Sequence, residues 1–352
     1  MGDDVLQLIY DRIPSGKDRV ALASTSRQMN NVPYAYESAE HFIRTQADVE
    51  AAIKNGAQRV TFQNGALIHE LSRMKKVKYL TINEQEDLHE LPPLPPALKV
   101  LNCSHNALTQ LPSLPSTLKE LYCSGNQLTQ LPALPPTLVK LFCNTNEIKK
   151  LPVLPVTLVQ LNCKDNDLTR LPALPLTLTE LDCSYNELPI LPQPLPNALV
   201  TLKCDRNVLT ELPPLPPTLK NLDCAGNILT LLSNLPPTLI TLNCSENELS
   251  YLQTVLPRKL VELRCGANML TELPALPRTL VTLYCGGNQV ARLPHLPSTL
   301  VTLFCASNEL TELPMLPSSL VTLDCADNQL TELPTLPSTL VTLHCSRNKL
   351  TV

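Results

Sequence analysis

The chain has 352 residues and a formal net charge of -4, which argues against nucleic acid or an anionic membrane as its main partner. No stretch approaches the ~20 consecutive apolar residues of a membrane-spanning helix. The opening residues "MGDDVLQLIY" also lack the basic start and long apolar core of a secretory signal. We therefore expect a soluble protein of the cytoplasm, or of the host cytoplasm if the source is a virus or an intracellular bacterium.

Residues 1–57 have a composition of their own, and their apolar spacing is typical of helices. The stretch "DDVLQLIYDRI" places apolar residues at helical intervals and is followed by a proline. "RVALASTSRQM" continues the pattern, and "SAEHFI" indicates a third short helix. "TQADVEAAIKNG" begins with a capping box at Thr45 and Asp48 and stops at Gly56. These helices are expected to form a small N-terminal head that caps the rest of the chain.

The first two of these helices also resemble an F-box. The matching positions are Val5, Leu6, Ile9, Tyr10, Ile13, Pro14, Asp18, Val20, Leu22, Ser26 and Arg27. The sequence departs from the pattern at "GDD", where Leu-Pro is usual, and at Met29, where a large aromatic residue is common. The resemblance implies that residues 1–45 bind the adaptor subunit of a cullin-RING ubiquitin ligase. The implied contact residues are Val5, Leu8, Ile9, Ile13, Pro14 and Val20.

A 20-residue repeat fills the remainder of the sequence. Thirteen cysteines recur at steps of 20 residues, with two steps of 21. They are Cys103, Cys123, Cys143, Cys163, Cys183, Cys204, Cys224, Cys244, Cys265, Cys285, Cys305, Cys325 and Cys345. A leucine stands two residues before each cysteine and an asparagine three residues after it. The unit reads T-L-x-x-L-x-C-x-x-N-x-L-T-x-L-P-x-L-P-x.

This unit resembles the leucine-rich repeat, with cysteine in place of one leucine. Two fainter copies precede the first cysteine, with Phe62 and Ile82 in its position. The resemblance implies an α/β-type solenoid, a leucine-rich repeat horseshoe of about 15 coils over residues 58–352. It also implies a parallel β-sheet on the concave face and an asparagine ladder that bonds the backbone of adjacent coils.

The return segment L-P-x-L-P determines the opposite, convex face. Proline fixes φ and lacks an N–H donor, and it disfavours the helical region for the residue before it. The convex face is therefore expected to be extended or polyproline-like. The two additional residues, in "LPQPLPNAL" and "LQTVLPRKL", fall in this segment.

The cysteines are expected to form a reduced column in the interior. Leucine and cysteine two residues apart point to the same side of a strand, so both face the core. No close C-x-x-C pair suggests zinc, and a buried apolar position disfavours a reactive thiolate. Disulfides are disfavoured because side chains in a parallel stack point the same way. We expect no enzyme activity, no cofactor and no metal.

Residues just before the cysteines should face outward on the concave sheet and bind a protein substrate. This column contains an aromatic residue at four places, in two adjacent pairs, although aromatic residues make up only 3% of the chain. Aromatic side chains are good anchors for partner proteins. The proposed substrate-binding residues are Tyr122, Phe142, Tyr284, Phe304 and His344.

Two roles remain open. An F-box ahead of leucine-rich repeats implies a substrate receptor of a ubiquitin ligase. The L-P-x-L-P unit is also similar to leucine-rich-repeat effectors of bacteria, which implies a non-catalytic scaffold whose N-terminal helices only cap the solenoid. The chain ends inside a repeat, at "NKLTV". An end without a cap would permit end-to-end self-association.

Overall fold

The structure, a computed structural model, describes residues 40–82, 84–85, 87–232 and 234–351. They form one parallel sheet of 16 strands in which each strand pairs with the next one in the chain. The first strands are β1 (Glu40–Ile43), β2 (Arg59–Phe62) and β3 (Tyr79–Ile82). The others are β4 (Val100–Asn102), β5 (Glu120–Tyr122), β6 (Lys140–Phe142), β7 (Gln160–Asn162), β8 (Glu180–Asp182), β9 (Thr201–Lys203), β10 (Asn221–Asp223), β11 (Thr241–Asn243), β12 (Glu262–Arg264), β13 (Thr282–Tyr284), β14 (Thr302–Phe304), β15 (Thr322–Asp324) and β16 (Thr342–His344). The expected solenoid of parallel strands is confirmed.

Helices occur only in the first coils of the described chain. Helix α1 (Gln46–Lys54) lies between β1 and β2, and a 3₁₀ helix (Gly65–Arg73) lies between β2 and β3. The capping box of α1 is present. The Asp48 N–H donates to the Thr45 hydroxyl at 3.3 Å, and the Thr45 N–H donates to the Asp48 carboxylate at 2.9 Å. The predicted start of this helix is confirmed.

The sheet begins earlier than the sequence indicates. Strand β1 precedes residue 58, where the solenoid was expected to start, and β1 pairs in register with β2. The short helix expected in "SAEHFI" is wrong, since residues 40–43 are this strand. Six residues are too few for periodicity to separate helix from strand, and pairing with β2 decides the outcome. The predicted F-box contacts lie outside the described residues.

Leucine and cysteine side chains fill the interior. In a middle strand, Leu222 is 2% exposed and Cys224 is fully buried. Every cysteine is a free thiol, and all but Cys345 are buried. Burial raises the pKa of the Cys103 thiol to about 12, so it stays protonated at neutral pH. The predicted interior column of cysteines is confirmed.

The asparagines join each coil to its neighbour. Asn227 is typical: its side-chain amide donates to the carbonyls of Cys204 at 3.1 Å and Cys224 at 3.0 Å. Its side-chain oxygen accepts from the Leu209 N–H at 2.9 Å. The same pattern recurs from Asn106 to Asn348. The ladder implied by the resemblance is therefore present.

The convex face is extended, as the prolines predict. After β3, the described return segments contain no helix and close with a turn, such as the one in which the Leu219 N–H donates to the Pro216 carbonyl at 3.1 Å. The two longer repeats keep the register of the sheet, since Leu181 pairs with Leu202 and Leu242 with Leu263. Each additional residue is therefore absorbed outside the strands. Across the described residues, no helix is long and apolar enough to cross a membrane.

Candidate functional site

The concave face is built from residues on either side of the buried leucine in each strand. In β13, Leu283 points inward, whereas Thr282 and Tyr284 point outward and are partly exposed. Because consecutive strands align leucine with leucine, outward residues of neighbouring coils stand side by side in columns. The candidate site is the column just before the cysteines.

The first aromatic pair lies on β5 and β6. The rings of Tyr122 and Phe142 are stacked with their centroids 5.2 Å apart. The Tyr122 hydroxyl donates to the carboxylate of Glu120 at 2.8 Å, and Lys140 lies 3.8 Å from the same carboxylate. Glu120 is 4% exposed and Lys140 is partly exposed, so a buried carboxylate paired with a lysine supports this ring pair from the neighbouring column. The sequence did not indicate this support.

The second aromatic pair lies on β13 and β14 and is extended by an arginine. The rings of Tyr284 and Phe304 are nearly parallel, with centroids 4.6 Å apart and an interplanar angle of 5°. The Arg264 guanidinium lies 4.7 Å from the Tyr284 ring centroid, which is within cation–π range. Arg264 also forms a salt bridge with Glu262. The result is a continuous stack of one cation and two rings.

The predicted residue His344 stands two strands beyond Phe304. Its Nδ1 lies 3.7 Å from a carboxylate oxygen of Asp324, which is adjacent to Phe304 in the sheet. The structure therefore brings Tyr284, Phe304 and His344 into one stretch of the column.

The two aromatic pairs do not meet. Seven strand spacings of about 4.8 Å separate β6 from β13, or roughly 34 Å along the sheet. The concave column therefore offers two separate aromatic surfaces with polar residues between them.

Two carboxylates with raised pKa values lie in the polar middle of the concave face: Asp223 belongs to the column, and Asp205 directly follows Cys204. Burial, followed by repulsion from Asp205, raises the pKa of Asp223 to about 6. Burial also raises the pKa of Asp205, against a hydrogen bond from Ser184 that lowers it. Asn243 donates to Asp223 at 3.2 Å. Within the described ranges, no group of three or more His, Cys, Asp or Glu side chains could hold a metal ion.

Threonines of the convex face were missed as structural residues. The Thr218 hydroxyl lies 2.6 Å from the carbonyl oxygen of Asn197 and 2.8 Å from that of Leu199, both in the preceding coil. The same contacts recur in other coils, as at Thr117. The repeated T-L of the unit was the available signal.

Comparisons with known proteins agree with this geometry. Residues 96–136 match the family model for leucine-rich repeats in two copies. A search of curated proteins gave no match. The leucine-rich effector protein YopM from Yersinia pestis is 28% identical with a TM-score of 0.65, over 94% of this chain and 100% of the YopM chain.

Two further solved structures are similar. The functional domain of InlJ from Listeria monocytogenes, which includes a cysteine ladder, is 30% identical with a TM-score of 0.66. That match covers 73% of this chain and 60% of the InlJ chain. A leucine-rich repeat protein of Leptospira interrogans is 21% identical over 88% of this chain and 95% of its own, with a TM-score of 0.60, and shows the fold alone. The chain therefore contains leucine-rich repeats, and its described residues form a solenoid similar to these bacterial proteins.

Proposed function

We propose that the chain is a non-catalytic scaffold that binds a partner protein on its concave face. The observation that carries the proposal is the stack of Arg264, Tyr284 and Phe304. Tyrosine and arginine are enriched among residues that dominate binding energy, and a stacked ring loses little side-chain entropy when a partner covers it. The pair of Tyr122 and Phe142 offers a second anchor, and a long partner would contact this pair and the stack together.

Similarity to a bacterial effector supports a scaffold role. YopM is described as an effector protein and matches almost the whole of this chain. In the proposed role the chain would act by holding other proteins, and we propose the cytoplasm as its place of action. The analogy names no partner for this chain.

Photo-crosslinking tests the concave face directly. A photoreactive phenylalanine analogue replaces Phe304 in one variant and Met315 in the other. Met315 belongs to the same coil but lies on the return segment and is 80% exposed. In cells that make the protein, a partner should be crosslinked at position 304 and not at 315. The Tyr284→Ser change should reduce that crosslink.

The opposite pattern would exclude the concave face as the binding surface. A partner crosslinked at 315 and absent at 304 would move the binding surface to the convex face. Crosslinking at position 304 that Tyr284→Ser leaves unchanged would remove the aromatic stack from the proposal.

The F-box resemblance gives a more specific candidate, a substrate receptor of a cullin-RING ubiquitin ligase. It rests on the sequence match between residues 4 and 29. A pull-down of the full chain with the purified adaptor subunit tests it. Binding should be lost with Ile9→Asp and retained with Val153→Asp, a change at a site that is 86% exposed in the solenoid. If the unaltered chain does not bind the adaptor, the N-terminal helices are a cap and the scaffold alone remains.

A further inference from the structure

A second surface lies on the side of the solenoid where the strands end. Two positions of each repeat, four and seven residues after the cysteine, lie there, and all of those that the structure describes are exposed apart from Ala107. Across the coils that start at Cys183 to Cys265, large apolar residues occupy most of these positions, and 43–60% of each is exposed. The residues are Ile190, Val208, Ile228, Leu231, Tyr251 and Met269. We call this set the carboxyl-side strip.

The strip is confined to these coils. In the other cysteine-bearing repeats the same two positions are polar or charged, apart from Ala107 and Val352. Backbone hydrogen bonds keep the coils in register here, since the Ile228 N–H donates to Leu209 and the Met269 N–H donates to Leu249. The apolar side chains therefore lie on five successive coils, with glutamates at four of the ten positions. Large apolar side chains left exposed on one face and mixed with polar residues are typical of an interaction surface.

The charge within the strip has one sign. The remaining residues at these positions are glutamates: Glu187, Glu211, Glu248 and Glu272. In the described chain no salt bridge joins any of them to a basic side chain, whereas the nearby Arg206 pairs with Glu246 at 3.8 Å. The closest basic residues in the two positions, Arg170 and Arg292, belong to the flanking coils. The strip therefore favours a cationic partner.

The charge also argues against a second copy of this chain as the occupant. A two-fold contact sets the same surface against itself. The glutamates lie on both sides of the central Ile228 and Leu231, so such a contact would bring carboxylates together. A partner with lysine or arginine between apolar residues would satisfy both features of the strip.

The spacing of the coils suits a helix lying along the strip. Parallel strands are about 4.8 Å apart, and one turn of an α-helix rises about 5.4 Å. Successive turns of a helix can therefore contact successive coils. Four coil spacings amount to roughly 19 Å, which a helix of about 13 residues spans.

We propose that the carboxyl-side strip binds a basic amphipathic helix of a partner protein. Apolar residues of the helix would cover the strip, and its lysines or arginines would pair with the glutamates. This surface is separate from the concave column, because the strip lies beyond the asparagine turn of each coil. Binding at the strip therefore does not require binding at the concave face.

The test uses a fluorescent 14-residue peptide of leucine and lysine arranged as an amphipathic helix, titrated with the full chain. Fluorescence anisotropy should show binding that weakens with added salt. The changes Ile228→Ser and Leu231→Ser should each weaken it about tenfold, the usual loss at an anchor residue. A matched peptide with glutamate in place of lysine should not bind.

Two control variants locate the binding. Gln289→Ser changes the same repeat position outside the strip, and Tyr284→Ser changes the concave stack, so both should leave the affinity unchanged. Affinity that Ile228→Ser and Leu231→Ser do not alter would overturn the proposal, as would the absence of peptide binding. Dimerisation of the chain that Leu231→Ser abolishes would also overturn it, since a second copy would then occupy the strip.

Discussion

Asparagine side chains join neighbouring coils at the scale of single residues. Asn227 is 6% exposed and bonds four backbone groups, two of them in the preceding coil. Its replacement by alanine leaves those groups buried without partners, which costs about 1–3 kcal/mol. Asn227→Ala should therefore lower the urea midpoint of unfolding. The exposed Asn234→Ala is the control and should leave it unchanged, and equal midpoints for the two variants would contradict the role of the ladder.

The residue before each ladder asparagine has a left-handed backbone conformation. Thr145 has a φ of +56°, which is unfavourable for a β-branched side chain. Thr145→Gly should raise the free energy of unfolding by about 0.5–1 kcal/mol, because relief of this strain exceeds the entropy cost of glycine. Asp165→Gly, at a φ of +57°, should gain less, since aspartate tolerates this conformation. Thermal melts of both variants compare the two gains in stability. A lower melting temperature for Thr145→Gly than for the unaltered chain would contradict the expected relief of strain.

Asp223 makes stability depend on pH. Its pKa of about 6 in the folded chain exceeds the ordinary 3.8, chiefly through burial, so the folded state binds the proton more tightly. The stabilisation is complete below pH 4 and is lost as pH rises towards 6. Asp223→Asn should remove this dependence and stabilise the chain at pH 7 by about 1 kcal/mol, allowing for solvent screening. Urea unfolding at pH 4 and pH 7 gives the free energy of unfolding at each pH. If the difference between the two pH values is the same in Asp223→Asn as in the unaltered chain, Asp223 is not the group responsible.

At the scale of the element, one coil cannot bury its leucines without neighbours. Leu222→Asp places a carboxylate in the middle of the stack and should cost several kcal/mol, which prevents cooperative folding. Leu350→Asp makes the same change at a partly buried site in the last coil and should be tolerated. Circular dichroism melts and limited proteolysis distinguish the two outcomes. Equal damage at both positions would contradict a stack stabilised by nearest neighbours.

Repetition made the elements of the solenoid predictable. The cysteine, leucine and asparagine positions predicted the strands, the inward side chains and the ladder, because a 20-residue period leaves one consistent register. Strand β1 could not be predicted, since it lacks the repeat and depends on pairing with β2. The threonine contacts at Thr218 were missed because the hydroxyl bonds carbonyls of the preceding coil, which only the folded stack brings within reach.

At the scale of the whole molecule, the register also predicted which concave residues are neighbours. It predicted that Tyr284 lies beside Phe304 and that Tyr122 lies beside Phe142. The cation over Tyr284 could not be predicted, since it depends on side-chain rotamers and on competition with Glu262. The raised pKa of Asp223 likewise depends on how deeply the folded chain covers an outward-facing strand residue.

The whole solenoid depends on one continuous stack with cysteine inside it. Titration of thiols with an aromatic disulfide reagent tests this directly, since buried, protonated thiols do not react. In the native chain, rapid reaction is expected at about one thiol, Cys345, the one cysteine that is not buried. In guanidinium chloride all thirteen should react. Several rapidly reacting native thiols, or fewer than thirteen after unfolding, would contradict the reduced interior column.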